Sequence, residues 1–183
     1  MEHRSAEELE AGLDEIRRSP ADQGTVELIV RRPAENEREV LDEGVLDLAE
    51  GLVGDMWRVR TSSRTPDGSA NPDTQVTLMN ARAIDLIAGG RERWPLAGDQ
   101  LYVDLDLSVE NLPVGTRLVV GTAALEITAE LHTGCAKFSA RFGSAALRFV
   151  NGAAGRPLRL RGVNARVAEP GTVARGDTIA KLW

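Results

Sequence analysis

The sequence contains one cysteine, Cys135, in the segment His-Thr-Gly-Cys-Ala-Lys at residues 132–137. One cysteine cannot form an internal disulfide, and it cannot alone build a Cys-rich zinc or iron–sulfur site. Cys135 is therefore either a small buried residue or a reactive thiol. His132 precedes it by three residues, close enough to orient a thiol or relay a proton, but it could equally cap the end of a strand.

The residues that follow Cys135 repeat with helical periodicity. Apolar side chains fall at offsets of 4, 7 and 11 from Phe138, which predicts a helix over residues 138–150, and Gly143 permits a kink in it. A thiol just before a helix N-terminus and near Lys137 would have its pKa lowered by the helix dipole and the cation. The resulting thiolate could bind a soft metal or accept sulfur.

Charge is distributed unevenly along the chain. Residues 1–130 contain 13 Lys and Arg against 26 Asp and Glu, whereas residues 131–183 contain 9 against 2, within a net charge of −6. A local positive field near the cysteine favours an anionic ligand such as a phosphate. The overall acidity and the lack of clustered aromatic residues in the basic segment argue against a nucleic-acid partner.

Three basic residues share one face of the predicted helix: Lys137, Arg141 and Arg148. They are candidate ligands for the phosphate of a cofactor, although a solvated helix face would show the same pattern. Arg156, Arg159 and Arg161 could add to an anion site, or they could deter aggregation at a sheet edge.

The elements that must position these residues are predicted from periodicity. Helices are expected at residues 5–18, after a capping box, and at 80–88. Strands are expected at 25–31, 74–79, 101–107, 117–121, 124–131, 158–161, 164–168 and 178–182, with a polar loop at 61–73. Short strands with glycine turns and no regular βαβ alternation predict a mainly β fold, a twisted mixed or antiparallel β-barrel with a few peripheral helices.

A length of 183 residues favours one domain. We expect residues 1–23 to be an N-terminal helical extension and residues 24–183 to be the β-barrel domain. No apolar run approaches the roughly 18 residues of a membrane helix, and the charged N-terminus lacks a signal-peptide pattern. The sequence therefore predicts a cytoplasmic protein without a membrane partner.

Three stretches together resemble the MOSC domain family, named for the C-terminal region of molybdenum cofactor sulfurase. The first is the strand-turn-strand pattern of residues 111–121 and 124–128, and the second is the cysteine segment, residues 132–138 with 141–143. The third is the weaker match of residues 161–167, followed by Gly171 and Gly176-Asp177. They occur in the expected order from about Gly24 onward, and the resemblance implies a MOSC-like β-barrel.

The chain departs from the family pattern at two places. Many members read Gly-Glu-Asn-Leu and then Thr where residues 109–113 read Val-Glu-Asn-Leu-Pro, and Pro-Cys where this chain has Gly134-Cys135. These departures indicate a subfamily whose substrate need not match that of better-known members. Long members also carry an aminotransferase-like region with a pyridoxal phosphate lysine. With only two lysines in this chain, an independent pyridoxal phosphate site is not expected.

The resemblance implies a molybdenum cofactor (molybdopterin), with Cys135 as the metal ligand and with Cys135 and His132 as catalytic residues. Lys137, Arg141 and Arg148 would then bind the cofactor, as would Asn111, which could instead simply hold a turn. Related proteins are thought to reduce N-hydroxylated bases or amidoximes, which would require an electron-transfer reductase as partner.

Two other functions remain open for the sequence. The protein could be a sulfur transferase, a carrier with a persulfide on Cys135 for metal–sulfur centre assembly, which would need a cysteine desulfurase as partner. It could also be a non-catalytic barrel that binds an anion or a protein.

Overall fold

The computed structural model describes residues 3–182 of the chain. Its α-helices are α1 (Ala6–Ala11), α2 (Leu13–Arg17), α3 (Ala81–Ala88) and α4 (Ala136–Asn151). Its strands are β1 (Gln23–Arg31), β2 (Glu39–Leu41), β3 (Glu43–Asp47), β4 (Gly51–Leu52), β5 (Val76–Asn80), β6 (Leu101–Asp104), β7 (Arg117–Val120), β8 (Ala123–Ile127), β9 (Val163–Glu169), β10 (Gly171–Ala174) and β11 (Thr178–Lys181). Short 3-10 helices cover Met56–Val59, Pro72–Thr74 and Arg91–Ala97.

Seven of these strands close into a barrel in the order β1-β11-β7-β8-β9-β5-β6 and back to β1. The β5–β6 pair is parallel, and the other pairs of the barrel are antiparallel. Strand β2 extends the sheet beside β1, and β10, β3 and β4 form a small second sheet. The mixed β-barrel predicted from the sequence is therefore confirmed. Closure leaves the ends of the barrel as the places where loops converge.

The chain has two hydrophobic cores because the barrel strands alternate between an inward and an outward face. Leu78, Leu101 and Val103 belong to the core inside the barrel. Met79 and Tyr102, their neighbours along the strands, belong to the core between the barrel and the helices. Helix α4 is therefore anchored to the outside of the barrel along its apolar face.

The N-terminal helices contribute to this outer core. Leu9 of α1 is fully buried and Ile16 of α2 is nearly so, and both pack in the cluster that contains side chains of α3 and α4. The predicted helix at 5–18 is present but is divided at Gly12. The predicted helix at 138–150 corresponds to α4, where Gly143, at a φ of 91°, interrupts the helical backbone.

Most predicted strands are present, but one prediction was wrong. Residues 158–161 form turns, with Arg159 at a φ of 48° and with the N–H of Leu160 donating to the carbonyl of Gly155. The alternation of Leu and Arg side chains at these positions therefore matched the pattern of a strand although no strand forms. The short strands β2, β3, β4 and β10 had no prediction. No helix within residues 3–182 is long and apolar enough to span a membrane.

Replacing Leu9 by Ala tests whether α1 belongs to the folded unit. We expect the free energy of unfolding to fall by about 2–5 kcal/mol, because the substitution leaves a cavity in the outer core. Urea unfolding of the full chain would measure the change. The control is Val109→Ala at a half-exposed position, where a change within about 0.5 kcal/mol is expected. An equally small effect of Leu9→Ala would show that α1 adds nothing to stability.

Candidate functional site

Cys135 opens onto a cleft beside the N-terminus of α4. We name this cavity of about 380 Å³ the cysteine cleft. Helix α4 contributes several of its walls, and others come from the segments after β1, before β6 and before β9. Its lining residues are Arg32, Glu35, Asn36, Arg38, Met56, Arg60, Ala97, Gly98, His132, Cys135, Lys137, Phe138, Arg141 and Arg161.

Cys135 is the N-cap residue of α4, with an extended backbone, and its side chain is exposed. Partial burial raises the pKa of the thiol. Four groups lower this pKa by a larger amount: the backbone N–H groups of Phe138 and Lys137 and the charges of Arg161 and Arg141. The net shift is downward. The first turn of α4 and the basic side chains therefore favour the thiolate, the form that binds soft metals and attacks sulfur.

A buried carboxylate lies at the base of the cleft. Asp99 is fully buried and accepts hydrogen bonds from Nη1 of Arg161 at 2.6 Å and from Nε2 of His132 at 2.8 Å. Burial raises the pKa of Asp99, but Arg161 and His132 outweigh it and hold that pKa well below its usual range. Asp99 is thus ionised and fixes the positions of both partners.

The contact with Asp99 also determines the tautomer of His132. An ionised carboxylate only accepts hydrogen bonds, so Nε2 of His132 carries the proton and Nδ1 presents a lone pair. Burial, followed by the charge of Arg161, lowers the pKa of His132, and Asp99 only partly reverses this shift. His132 is therefore neutral at neutral pH, and its Nδ1 is a hydrogen-bond acceptor.

Arg161 is a buried cation in which one guanidinium nitrogen makes no hydrogen bond. Its Nη1 donates to Asp99, its Nη2 donates to the carbonyl of Ala97 at 2.9 Å, and its guanidinium lies 5.1 Å from the ring centre of Phe138. Its Nε is the one buried side-chain nitrogen or oxygen atom within residues 3–182 that lacks a hydrogen-bond partner. A buried unsatisfied donor is costly, so this N–H is suited to an acceptor supplied by a ligand.

A second buried ion pair holds another lining residue of the cleft, Arg32. Arg32 and Asp55 are joined by two hydrogen bonds, from Nε at 2.8 Å and from Nη2 at 2.7 Å, and both side chains are buried. Nη1 of Arg32 donates to the carbonyl of Gly98 at 2.9 Å. The bidentate pair connects the end of β1 to the segment after β4, and the hydrogen bond to Gly98 connects it to the loop before β6.

Three other arginines of the cleft have no carboxylate within 4.0 Å among the described residues: Arg38, Arg60 and Arg141. Arg38 donates to the carbonyl of Pro95 at 3.1 Å, and Arg141 donates to that of Leu96 at 2.7 Å. Burial and neighbouring arginines lower the pKa of Arg38 and of Arg60. Guanidinium groups without a nearby carboxylate give one cavity a positive potential. Such a cavity favours the binding of an anion.

A second cavity of about 420 Å³ adjoins the first and shares Arg32, Arg60 and His132 with it. We name it the polar lobe, because half of its lining residues have hydroxyl or amide side chains. It is bordered by the polar loop that precedes β5 and by the segment that follows β8. Its remaining residues are Trp57, Thr61, Ser62, Ser63, Arg64, Asn71, Thr74, Thr77, Glu130, Leu131 and Asn164.

The structure places four of the six predicted site residues in the cysteine cleft: His132, Cys135, Lys137 and Arg141. Lys137 forms an ion pair with Glu35 at 2.7 Å at the exposed rim. The basic face predicted for the helix is therefore only partly directed at the cysteine.

Arg148 and Asn111 lie outside this cleft, and their assignment as cofactor ligands stays a prediction. Arg148 is beyond the kink at Gly143 and borders a groove against α1. The amide of Asn111 donates to the carbonyls of Ala21 and Asp106, both at 2.7 Å. Asn111 thus holds a turn, which was the alternative interpretation of this residue.

Sequence reasoning missed Asp99, Arg32, Arg38 and Arg60. One signal was available, because residues 98–101 read Gly-Asp-Gln-Leu and have the same order of glycine, acid, amide and leucine as the family's Gly-Glu-Asn-Leu. The cleft is lined by Gly98 rather than by residues 109–112. No sequence pattern indicated the three arginines, because they belong to the acidic part of the chain. They come close to Cys135 only when the chain folds.

Comparison with known proteins agrees with this fold. A family model of the MOSC domain matches residues 65–180. The chain is similar to the YuaD protein from Bacillus subtilis, with a TM-score of 0.64 and 20% identity over 86% of this chain and 94% of that chain. It is also similar to YiiM from Escherichia coli, with a TM-score of 0.56 and 17% identity over 87% of this chain and 70% of that chain. No curated protein sequence matches the chain.

The lowered pKa of His132 predicts how stability depends on pH. The unfolded chain binds a proton at this side chain at a higher pH than the folded chain does, so the free energy of unfolding should fall as the pH falls below about 6.5. In His132→Gln, whose neutral amide can also donate to Asp99, this loss should be smaller. Urea unfolding at several pH values between about 7 and 5.5 would measure it. Equal slopes for both proteins would contradict the assignment.

The lowered pKa of Cys135 predicts that its thiol is alkylated at a lower pH than the thiol of a free cysteine. The rate of reaction with iodoacetamide should reach half its maximum below the pKa of about 8.5 of a free cysteine. Arg141→Gln should raise this midpoint because a cation beside the thiolate is lost, whereas Arg156→Gln, at an exposed position outside the cleft, should not. A midpoint at or above that of free cysteine would show that the helix terminus and the arginines do not activate the thiol.

Proposed function

The chain belongs to the MOSC domain family, and we propose that it binds a molybdenum cofactor in the cysteine cleft with Cys135 as a ligand of the metal. The observation that carries this proposal is the position of Cys135. An exposed thiol at the start of α4 shares one cavity with arginines that lack carboxylate partners. A soft donor beside an anion site is the combination that a metal-bearing, phosphate-bearing cofactor requires.

The donor chemistry of the cleft fits this group. Among residues 3–182, no three His, Cys, Asp or Glu side chains are grouped as a metal site. Cys135 offers one soft ligand, and this is a suitable protein contribution when a dithiolene supplies sulfur of its own. The lowered pKa of the thiol favours the deprotonated state that coordination requires.

The anion chemistry of the cleft fits as well. Arg38, Arg60 and Arg141 would hold the phosphate, since a guanidinium pairs with phosphate oxygens through parallel hydrogen bonds. Arg161 is fixed by Asp99 and would direct its unused Nε–H to an acceptor on the bound group. The rigid pair of Arg161 and Asp99 orients this donor before any ligand arrives.

We propose that the reaction is the reduction of N-hydroxylated bases or amidoximes. In such a reaction an N–OH group takes up two electrons and two protons, the N–O bond breaks, and an N–H group and water form. When bound, the cofactor would supply the two-electron redox chemistry, and an electron-transfer reductase would supply the electrons. His132 is neutral and would use its Nδ1 lone pair to accept a hydrogen bond from the substrate and orient it.

The same exposed thiol also supports a second function, that of a sulfur carrier. The thiolate of Cys135 could attack the outer sulfur of a persulfide on a cysteine desulfurase, forming a new persulfide on Cys135 and releasing the desulfurase thiol. This function uses the thiolate but gives no role to the unpaired arginines, so we place it second.

Cys135→Ser tests whether the function depends on sulfur. Because the side chain is exposed, the variant should melt close to the wild type. We expect the wild-type protein, purified from cells that make the cofactor, to contain molybdenum and pterin, and the variant to retain severalfold less molybdenum, because a hydroxyl is a harder donor. Metal analysis and pterin fluorescence would measure both contents. A variant that retains its full molybdenum content would refute the ligand role of Cys135.

Arg38→Gln tests the phosphate site with Arg156→Gln as the matched control. Losing one charge-assisted hydrogen bond should weaken retention of the pterin by about tenfold or more. The exposed control should retain it fully. Wild-type protein without pterin, but with a sulfane sulfur on Cys135 after incubation with a desulfurase and cysteine, would favour the sulfur carrier instead.

A further inference from the structure

The two adjoining cavities differ in the balance of their charges. In the polar lobe, Arg64 is paired with Glu130 at 3.0 Å and Arg32 with Asp55 at 2.7 Å. Arg60, at the boundary with the cysteine cleft, is the remaining cation of this lobe. The cysteine cleft adds Arg38 and Arg141, which have no carboxylate partner within the described residues. An anion is therefore favoured in the cysteine cleft over the polar lobe.

The polar lobe offers unused groups of both hydrogen-bonding types. Asn71 uses its amide oxygen to cap a 3-10 helix through the N–H of Asp73, and its Nδ2 donates no hydrogen bond within residues 3–182. Asn164 is buried and donates from Nδ2 to the carbonyl of Glu130 at 3.1 Å. Its Oδ1 accepts no hydrogen bond from the described chain. One free donor and one free acceptor thus line the same cavity.

The walls of the polar lobe are held in place before a ligand binds. The ion pair of Arg64 with Glu130 connects the polar loop to the segment after β8. A second connection is the hydrogen bond from Oγ1 of Thr128 to the carbonyl of Asp73 at 2.5 Å. Trp57 donates to the carbonyl of Asn71 at 3.2 Å. Walls fixed at several points reduce the entropy that binding must overcome, so even a small solute can be selected.

We infer that the polar lobe is the substrate subsite and that it takes small neutral molecules carrying adjacent hydrogen-bond donors and acceptors. This inference rests on the proposed function, which places the anionic cofactor in the cysteine cleft. Asn71 would donate to the substrate and Asn164 would accept from it. His132 lines both cavities and so would contact a substrate that approaches Cys135 from the polar lobe. An anion would leave Oδ1 of Asn164 unpaired, and a wholly apolar molecule would leave both amides unpaired, so both would be selected against.

The two cavities can be tested separately with the cofactor-free protein. Side-chain amide and arginine Nε–H signals in nuclear magnetic resonance spectra would be followed during titration with N4-hydroxycytosine, a neutral probe, and with inorganic phosphate. We expect the neutral probe to move the amide signals of Asn71 and Asn164, and phosphate to move the signals of Arg38 and Arg141. Perturbation of the same cavity by both probes, or no perturbation of the amides by the neutral probe, would overturn the inference.

Asn71→Asp tests the donor, because it preserves the capping oxygen and replaces the Nδ2 donor by a negatively charged acceptor oxygen. We expect it to raise the dissociation constant of N4-hydroxycytosine by about threefold to tenfold. Asn164→Ala should do the same, and a thermal melt would show whether that strand variant stays folded. Arg38→Gln is the reciprocal control, which should weaken phosphate binding and leave the neutral probe unaffected. An unchanged dissociation constant for the neutral probe in folded Asn71→Asp would contradict the assignment.

The failure of this inference can be distinguished from failure of the proposed function. The titrations use no cofactor, whereas the proposed function is judged by the molybdenum and pterin content of purified protein. Protein that retains the cofactor but binds the neutral probe outside the polar lobe would overturn only the substrate subsite.

Discussion

The carboxylate of Asp99 is the group on which the arrangement of the cleft depends. It is fully buried, yet it stays ionised because Arg161 and His132 both donate to it. Its partners lie on the segment after β8 and on the turn before β9, so one carboxylate joins the segment before β6 to two others at one end of the barrel. Breaking such a buried pair by removing one partner costs about 3–5 kcal/mol, since the other charge remains buried without compensation.

A cleft of concentrated positive charge in an acidic protein follows from this arrangement. Buried carboxylates balance Arg161 and Arg32, while Arg38, Arg60 and Arg141 donate mainly to neutral groups or have no partner in the described chain. The carboxylates thus hold the inner arginines in place without neutralising the outer ones. The field at Cys135 is set by these near neighbours rather than by the net charge of −6, because the interaction of charges weakens with distance and screening.

The barrel and the cysteine segment could be predicted from the sequence because their signals are local. Branched residues mark β1, β5 and β9, and the repeat of apolar residues after Cys135 marks α4. The composition of the cleft could not be predicted. Its arginines come from segments distant in sequence and meet only when the barrel closes. Three of them, Arg32, Arg38 and Arg60, lie in the part of the chain where acidic residues predominate.

One wrong prediction and one ambiguous motif have specific physical causes. Residues 158–161 alternate Leu and Arg but turn at Arg159, where a positive φ interrupts any strand. Glu110-Asn111 resembled the family's acid and amide pair, yet Asn111 holds a turn through the carbonyls of Ala21 and Asp106. The residue types of that pair recur at Asp99-Gln100, under the cleft. In both cases a short local pattern was ambiguous, and the closure of the barrel decided which segment reached the site.

We propose above all that Cys135 is a ligand of a molybdenum centre held in the cysteine cleft. X-ray absorption at the molybdenum edge, recorded for the loaded wild-type protein and for the loaded Cys135→Ser variant, tests this most directly. We expect the metal in the variant to have one sulfur neighbour fewer and one additional lighter neighbour. Identical sulfur coordination in the two proteins would contradict it.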